Sequence, residues 1–172
     1  IAAVTLTGER VARRHVPGPR DLEDRLSGRT VTGAHRRGKY LWLALADGPD
    51  AVPDEGLIVH LGMSGQMLVT DPADPVAKHT HGRVRFTDEG SELRFVDQRT
   101  FGGLALTPLA PDRYGVQAPV GRDEAAHEGA ARDDDAHAHG IPEPVLHIAP
   151  DLLEPAFDRA ATVRRLKAKD TE

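Results

Sequence analysis

No cysteine occurs among the 172 residues. Disulfides, thiolate nucleophiles and a cysteine-ligated zinc site are thereby excluded from this stretch. Aromatic residues make up only 4% of the chain, so each one calls for a reason. No apolar run approaches the roughly 18 residues that a helical membrane span needs, and a membrane partner is not expected. Chain-breaking residues are plentiful instead: 13 prolines and 17 glycines point to many turns and a β-rich architecture. At 39% hydrophobic and 28% charged residues, the chain can build a core and lacks the composition of a disordered polymer. Its length suits one domain with a second small element.

The formal net charge of −5 is unevenly spread. Residues 1–114 carry 15 basic and 15 acidic side chains, and residues 115–172 carry 7 and 12. The basic residues of the first part fall in groups: Arg10, Arg13 and Arg14; Arg36, Arg37 and Lys39; Lys78, Arg83 and Arg85; Arg94 and Arg99. A neutral domain can still present one positive face, because polyanions follow local potential rather than net charge. Ordinary strand-surface arginine is the alternative. The chain opens on the apolar Ile1-Ala-Ala-Val-Thr-Leu6 without an initiator methionine, and it closes on Lys169-Asp-Thr-Glu172 directly after a helical pattern. The expectation is a segment of a longer protein or a truncated paralogue, cytoplasmic for want of any address.

Alternation and turn residues predict about six strands and two helices. Ala2 to Leu6 reads as a strand, and Arg20 to Leu26 as a short helix with Leu22 and Leu26 four apart and Gly28 as its stop. Within Thr30 to Leu45, Tyr40, Trp42 and Ala44 share one face and Leu41, Leu43 and Leu45 the other, which predicts a strand buried on at least one side. Leu57 to Val69 reads as two strands broken at Gly62-Met-Ser-Gly65. Gly82 to Phe86 and Glu92 to Val96 flank Asp88-Glu-Gly90 as a hairpin, and Phe101 to Leu106 is another strand. A mainly β fold follows, a two-layer β-sandwich with short helices over residues 1–114. Residues 115–150, centred on the Ala-, Asp-, Glu- and His-rich Gln117 to Gly140, read as an acidic flexible loop or linker. Within 151–172, Asp158 to Lys169 reads as a helix with Asp158 as N-cap and Arg164, Arg165, Lys167 and Lys169 near its negative end.

Three constellations carry candidate chemistry. In His60-Leu-Gly-Met-Ser-Gly65, two glycines allow a tight turn with Met63 at its tip, unless that side chain folds back onto the sheet. In Asp97-Gln-Arg-Thr-Phe-Gly-Gly103, Arg99 and Phe101 are two apart and point the same way in extended backbone, which suits stacking and base contact. The alternative is Phe101 in the core with Arg99 paired to Asp97. Arg36-Arg-Gly-Lys39 and Lys78-His-Thr-His81 offer donors for phosphate oxygens, or a solvated loop. A metal site joining His79 and His81 to His137 and His139 lacks supporting carboxylate spacing, so no metal is expected.

Arg36-Arg-Gly-Lys-Tyr-Leu41, His60-Leu-Gly-Met-Ser-Gly65, Lys78-His-Thr-His81 and Asp97-Gln-Arg-Thr-Phe-Gly102 occur in this order. Together they resemble the N-terminal β-sandwich domain of the formamidopyrimidine-DNA glycosylase/endonuclease VIII family, nearer the formamidopyrimidine branch. The resemblance covers roughly Ile1 to Thr107. More weakly, Leu152 to Glu172 is similar to the helix that enters that family's helix–two-turn–helix module.

The resemblance implies base excision repair: a glycosylase/AP lyase that flips an oxidised purine (8-oxoguanine or a formamidopyrimidine) out of duplex DNA, cleaves its glycosidic bond through a Schiff base and nicks the strand. Met63 matches the family's void-filling methionine, Arg99 the arginine on the orphaned cytosine, and Phe101 the aromatic wedge beside it. Lys39 matches a lysine that contacts backbone and lesion and is the one catalytic assignment; His79 matches a phosphate-contacting histidine. The implied partner is damaged double-stranded DNA, bound by a monomer. The family's N-terminal proline nucleophile and its cysteine-bearing zinc finger have no counterpart in these 172 residues, so no cofactor is expected here. An active enzyme is the expectation at family level; the alternatives are a truncated, non-catalytic DNA-binding or vestigial paralogue, and an unrelated sandwich that binds proteins.

Overall fold

The computed structural model describes residues 1–111, 140–149 and 157–169. Among them, β1 (Ala3–Leu6), β6 (Thr80–Arg85), β7 (Glu92–Val96) and β5 (Gln66–Thr70) form one sheet in that spatial order. β2 (Thr30–Arg37), β3 (Tyr40–Ala46), β4 (Glu55–His60), β8 (Gly103–Ala110) and β9 (Ile141–Pro142) form the other. Every strand pair is antiparallel. This is the expected two-layer sandwich with more strands than the pattern predicted. The run read as one strand from Thr30 to Leu45 is a hairpin: Gly38, at φ 58°, turns the chain back so that Arg37 faces Tyr40.

Alternation decides which side chains meet. Leu43 and Leu45 of β3, Leu57 and Val59 of β4 and Leu104 of β8 meet Val84 and Phe95 of the opposite sheet. Leu22 and Leu26, four apart on helix α1 (Pro19–Leu26), lie fully buried in the same cluster. Each such leucine contributes roughly 1.5–3 kcal/mol relative to exposure. Helix α1 ends as expected, with Gly28 at φ 82° just beyond it. The other face of β3 is also covered. Trp42 packs with Ile58, Ile141 and Val145, so the segment 140–149 lies against the five-stranded sheet.

Two arginines expected on a basic face are interior instead. Arg37 is fully buried, because the same C-terminal segment folds over its side of β2 and the Ile148 carbonyl accepts from its Nη1 at 3.4 Å. Arg94 is buried because residues 71–77 fold across β7. Its guanidinium donates to Glu92 at 2.5 Å and to the carbonyls of Pro75, Asp74 and Asp71 at 2.9, 2.9 and 3.2 Å. Glu92, fully buried, also receives Arg83 at 2.9 and 3.0 Å. Burial pushes the Glu92 carboxyl up, and the two guanidinium groups outweigh it and hold it below its ordinary value.

Register places one end of the sandwich at the centre of interest. Tyr40 pairs with His60, and His60 with Gly103. In the other sheet Val96 pairs with both Gln66 and Thr80. Only residues 61–65 join His60 to Gln66, and only residues 97–102 join Val96 to Gly103. These short inter-sheet connections force both rows to the same edge, so the turn at Lys39, the two connections and His79 share one rim. Helix α2 (Arg159–Lys169) begins as expected, with Asp158 Oδ1 accepting the Ala161 N–H at 2.8 Å. Residues 117–139, most of the expected acidic loop, lie outside the described residues. No helix of the described residues is long and apolar enough to cross a membrane.

Candidate nucleic-acid interface

One buried carboxylate organises the rim. Asp97 lies at the end of β7, fully buried. Its Oδ1 accepts Ser64 Oγ–H at 2.7 Å and the Arg99 N–H at 3.1 Å, and its Oδ2 accepts the Gly102 N–H at 2.7 Å. Its own N–H donates to the His79 carbonyl at 3.0 Å, and its carbonyl lies 2.9 Å from His81 Nε2. Burial raises the Asp97 carboxyl. The donors from Ser64, Gly102 and Arg99, with the His81 charge, more than offset that and hold it below the ordinary value of 3.8. The expected alternative of an Arg99–Asp97 side-chain pair is not formed: Asp97 is occupied by Ser64 and two backbone amides.

With their backbone so held, the candidate side chains stand outward. Met63 is 75% exposed and Phe101 49% exposed, which removes both from the core. Arg99 is exposed as well, and its Nη1 lies 3.7 Å from Met63 Sδ. Glycine makes this approach possible at two positions. Gly62 sits at φ 62°, and a Cβ there would lie 2.8 Å from the Gly102 nitrogen. A Cβ on Gly102 would meet the His60 carbonyl oxygen at 2.5 Å and the Phe95 ring at 2.7 Å. His79, half-buried at the foot of β6, has a left-handed φ of 69°.

The cations divide into two populations. Arg25, Arg29, Arg83 and Arg94 are all paired with carboxylates. Among the described residues, no carboxylate lies within ion-pair distance of Arg10, Arg13, Arg14, Lys39 or Arg99. Lys39 is exposed on the β2–β3 turn, 6.0 Å from the centre of the Tyr40 ring. His60, edge-on to Tyr40 at 5.4 Å, registers this field. Burial first, then the charges of Arg14, Lys39 and Arg13, pull its pKa below the ordinary value. Cations without a carboxylate partner among the described residues, on one rim beside an exposed thioether and ring, suit a polyanion whose bases can be stacked upon.

Lys39, Met63, His79, Arg99 and Phe101 therefore fall on one rim. Residues that sequence reasoning did not single out are Asp97, Ser64, His60 and Arg13. Asp97 had a signal, standing two residues before Arg99 in the same motif; Arg13 had only its membership of a basic group. No group of three or more possible metal ligands occurs among the described residues, and His137 and His139 lie outside them.

Comparison with known proteins gives the family and agrees with the two-sheet fold. The formamidopyrimidine-DNA glycosylase N-terminal domain family matches residues 1–104. The formamidopyrimidine-DNA glycosylase of Nocardia farcinica is 47% identical over 176 residues, covering 100% of this chain and 51% of that protein. The Kineococcus radiotolerans protein of the same description is 48% identical, covering 94% of this chain and 49% of its own. The chain thus spans about half the length of the curated relatives it matches. Among solved structures, Lactococcus lactis formamidopyrimidine-DNA glycosylase bound to DNA containing an abasic site superposes with a TM-score of 0.52 at 31% identity. That match covers 63% of this chain and 37% of the other. A complex of the Lactococcus lactis protein with DNA containing a formamidopyrimidine lesion gives 0.53, also at 31% identity.

Proposed function

The chain belongs to the formamidopyrimidine-DNA glycosylase family, and from that membership we infer that it is the damage-probing part of a base-excision-repair glycosylase/AP lyase acting on oxidised purines in duplex DNA. The observation that carries this reading is the Arg99–Met63 contact on a rim whose cations have no carboxylate partner among the described residues. Extruding a base costs a few kcal/mol of lost pairing and stacking. A thioether filling the void and a ring wedged against the neighbouring step offset that cost. Met63 fills the void, Phe101 is the wedge, and Arg99 donates to the cytosine left without a partner, a contact worth about 1–3 kcal/mol of discrimination. His79 and Lys39 grip the phosphates, and Lys39, at the catalytic position, places a fixed positive charge beside the extruded nucleotide. The substrates follow the family: 8-oxoguanine and formamidopyrimidines. We assign the work to a monomer in the cytoplasm.

The test is a salt titration of the chain with two duplexes, one intact and one carrying a tetrahydrofuran abasic analogue opposite cytosine. Affinity falling linearly on logarithmic axes between about 50 and 200 mM salt, with the abasic duplex bound more tightly, is the expected result. Absence of binding at low salt overturns the reading.

A further inference from the structure

Arg13 reaches across from the short 3-10 helix at Glu9–Ala12 and lies against the loop that carries Arg99 and Phe101. Its Nη1 donates to the Thr100 carbonyl at 3.0 Å and its Nη2 to the Phe101 carbonyl. Arg10 Nη1 adds a contact to Thr100 Oγ1 at 3.5 Å. The Asp97 carboxylate meanwhile holds the Arg99 and Gly102 N–H groups of the same loop. One guanidinium thus fixes two successive carbonyls, and one carboxylate fixes the amides on either side of them. Thr100 sits at φ 53°, a left-handed conformation that a β-branched residue rarely adopts unless its surroundings impose it.

We propose that Arg13 is a positioning residue that clamps the Arg99–Phe101 loop in the conformation used to probe the duplex. This rests on the reading of that loop as the wedge. A loop pressed between stacked bases loses no further backbone freedom if its geometry is already fixed, so the clamp is repaid in discrimination rather than in fold stability. The planar fork of arginine suits two neighbouring carbonyls; a lysine ammonium, a point charge, cannot span them in the same way. No carboxylate among the described residues competes for this guanidinium.

The experiment compares the parent chain with Arg13→Gln and Arg13→Lys by two measurements. The first is amide hydrogen exchange of the free proteins. Exchange at Arg99 and Gly102 is expected to quicken about tenfold in both variants, the scale of a lost bond to a charged group, while amides of β3 and β4 keep their rates. Unchanged exchange at Arg99 and Gly102 overturns the clamp whether or not DNA binds. The second is the ratio of affinities for the abasic and intact duplexes, expected to fall about fivefold in both variants, on the same energetic scale. An equal loss on both duplexes that Arg13→Lys restores makes Arg13 a direct phosphate contact and overturns the proposal. A parent chain that binds both duplexes equally sinks the wedge reading instead, and the exchange rates then decide the clamp alone.

Discussion

The Arg99 guanidinium rests 3.7 Å from the Met63 thioether, although the two residues lie in different connections between the sheets. Neither side chain makes another hydrogen bond or ion pair among the described residues. Met63→Ala and Arg99→Ala are therefore expected to change unfolding stability by no more than about 0.5 kcal/mol, as at ordinary surface sites. Each is expected to reduce binding to the abasic duplex about five- to tenfold, with the double variant departing from additivity because the groups touch. Denaturant melts and anisotropy titrations check both halves; a large loss of stability in either single variant contradicts the assignment.

Asp97 ties stability to acidity. Its carboxyl is held below 3.8 in the folded chain, so its contribution is fully present above the ordinary carboxylate range. That contribution is lost as pH falls through the lower folded value. Asp97→Asn can no longer accept from Ser64 and two amides at once. We expect it to cost about 1–3 kcal/mol at pH 7 and to flatten the decline in melting temperature below about pH 4. A variant with the parent's acid profile contradicts this account.

Glu92 is the interior counterpart, far from the rim's chemistry. Glu92→Gln leaves the buried Arg94 guanidinium without its counter-charge, which typically costs about 3–5 kcal/mol. Proteolysis within residues 71–77, whose carbonyls Arg94 holds, is the expected first symptom. Salt dependence of DNA binding in the surviving folded fraction stays as in the parent.

Lys39 and Arg83 separate the two cation populations. Lys39 lacks a carboxylate partner among the described residues, whereas Arg83 is engaged by Glu92. Lys39→Ala is expected to lower the salt slope of DNA binding by about one counterion. Arg83→Ala is expected to leave the slope alone and reduce the melting temperature. Equal slopes for the two variants contradict the division.

Much of this was legible in the chain. Alternation located β3 and showed it buried on at least one side, and the short glycine-bearing connections located the rim; the cover over the second face comes from residues 140–149. The hairpin at Gly38 was hidden because apolar residues resume at once after Lys39. Arg94 was misread for a physical reason. Period-two alternation places it opposite Phe95, on the solvent side, and only a loop folding over from residues 71–77 makes that side interior. The part played by Arg13 depends on contacts with residues 87 and 88 positions away, which no local pattern encodes.

The Ser64–Asp97 hydrogen bond has a mechanical consequence. One carboxylate grips both the turn bearing the thioether and the loop bearing the ring, so the two connections share a single anchor. On the proposed reading they would meet a duplex as one tooth, and Ser64→Ala is expected to uncouple them.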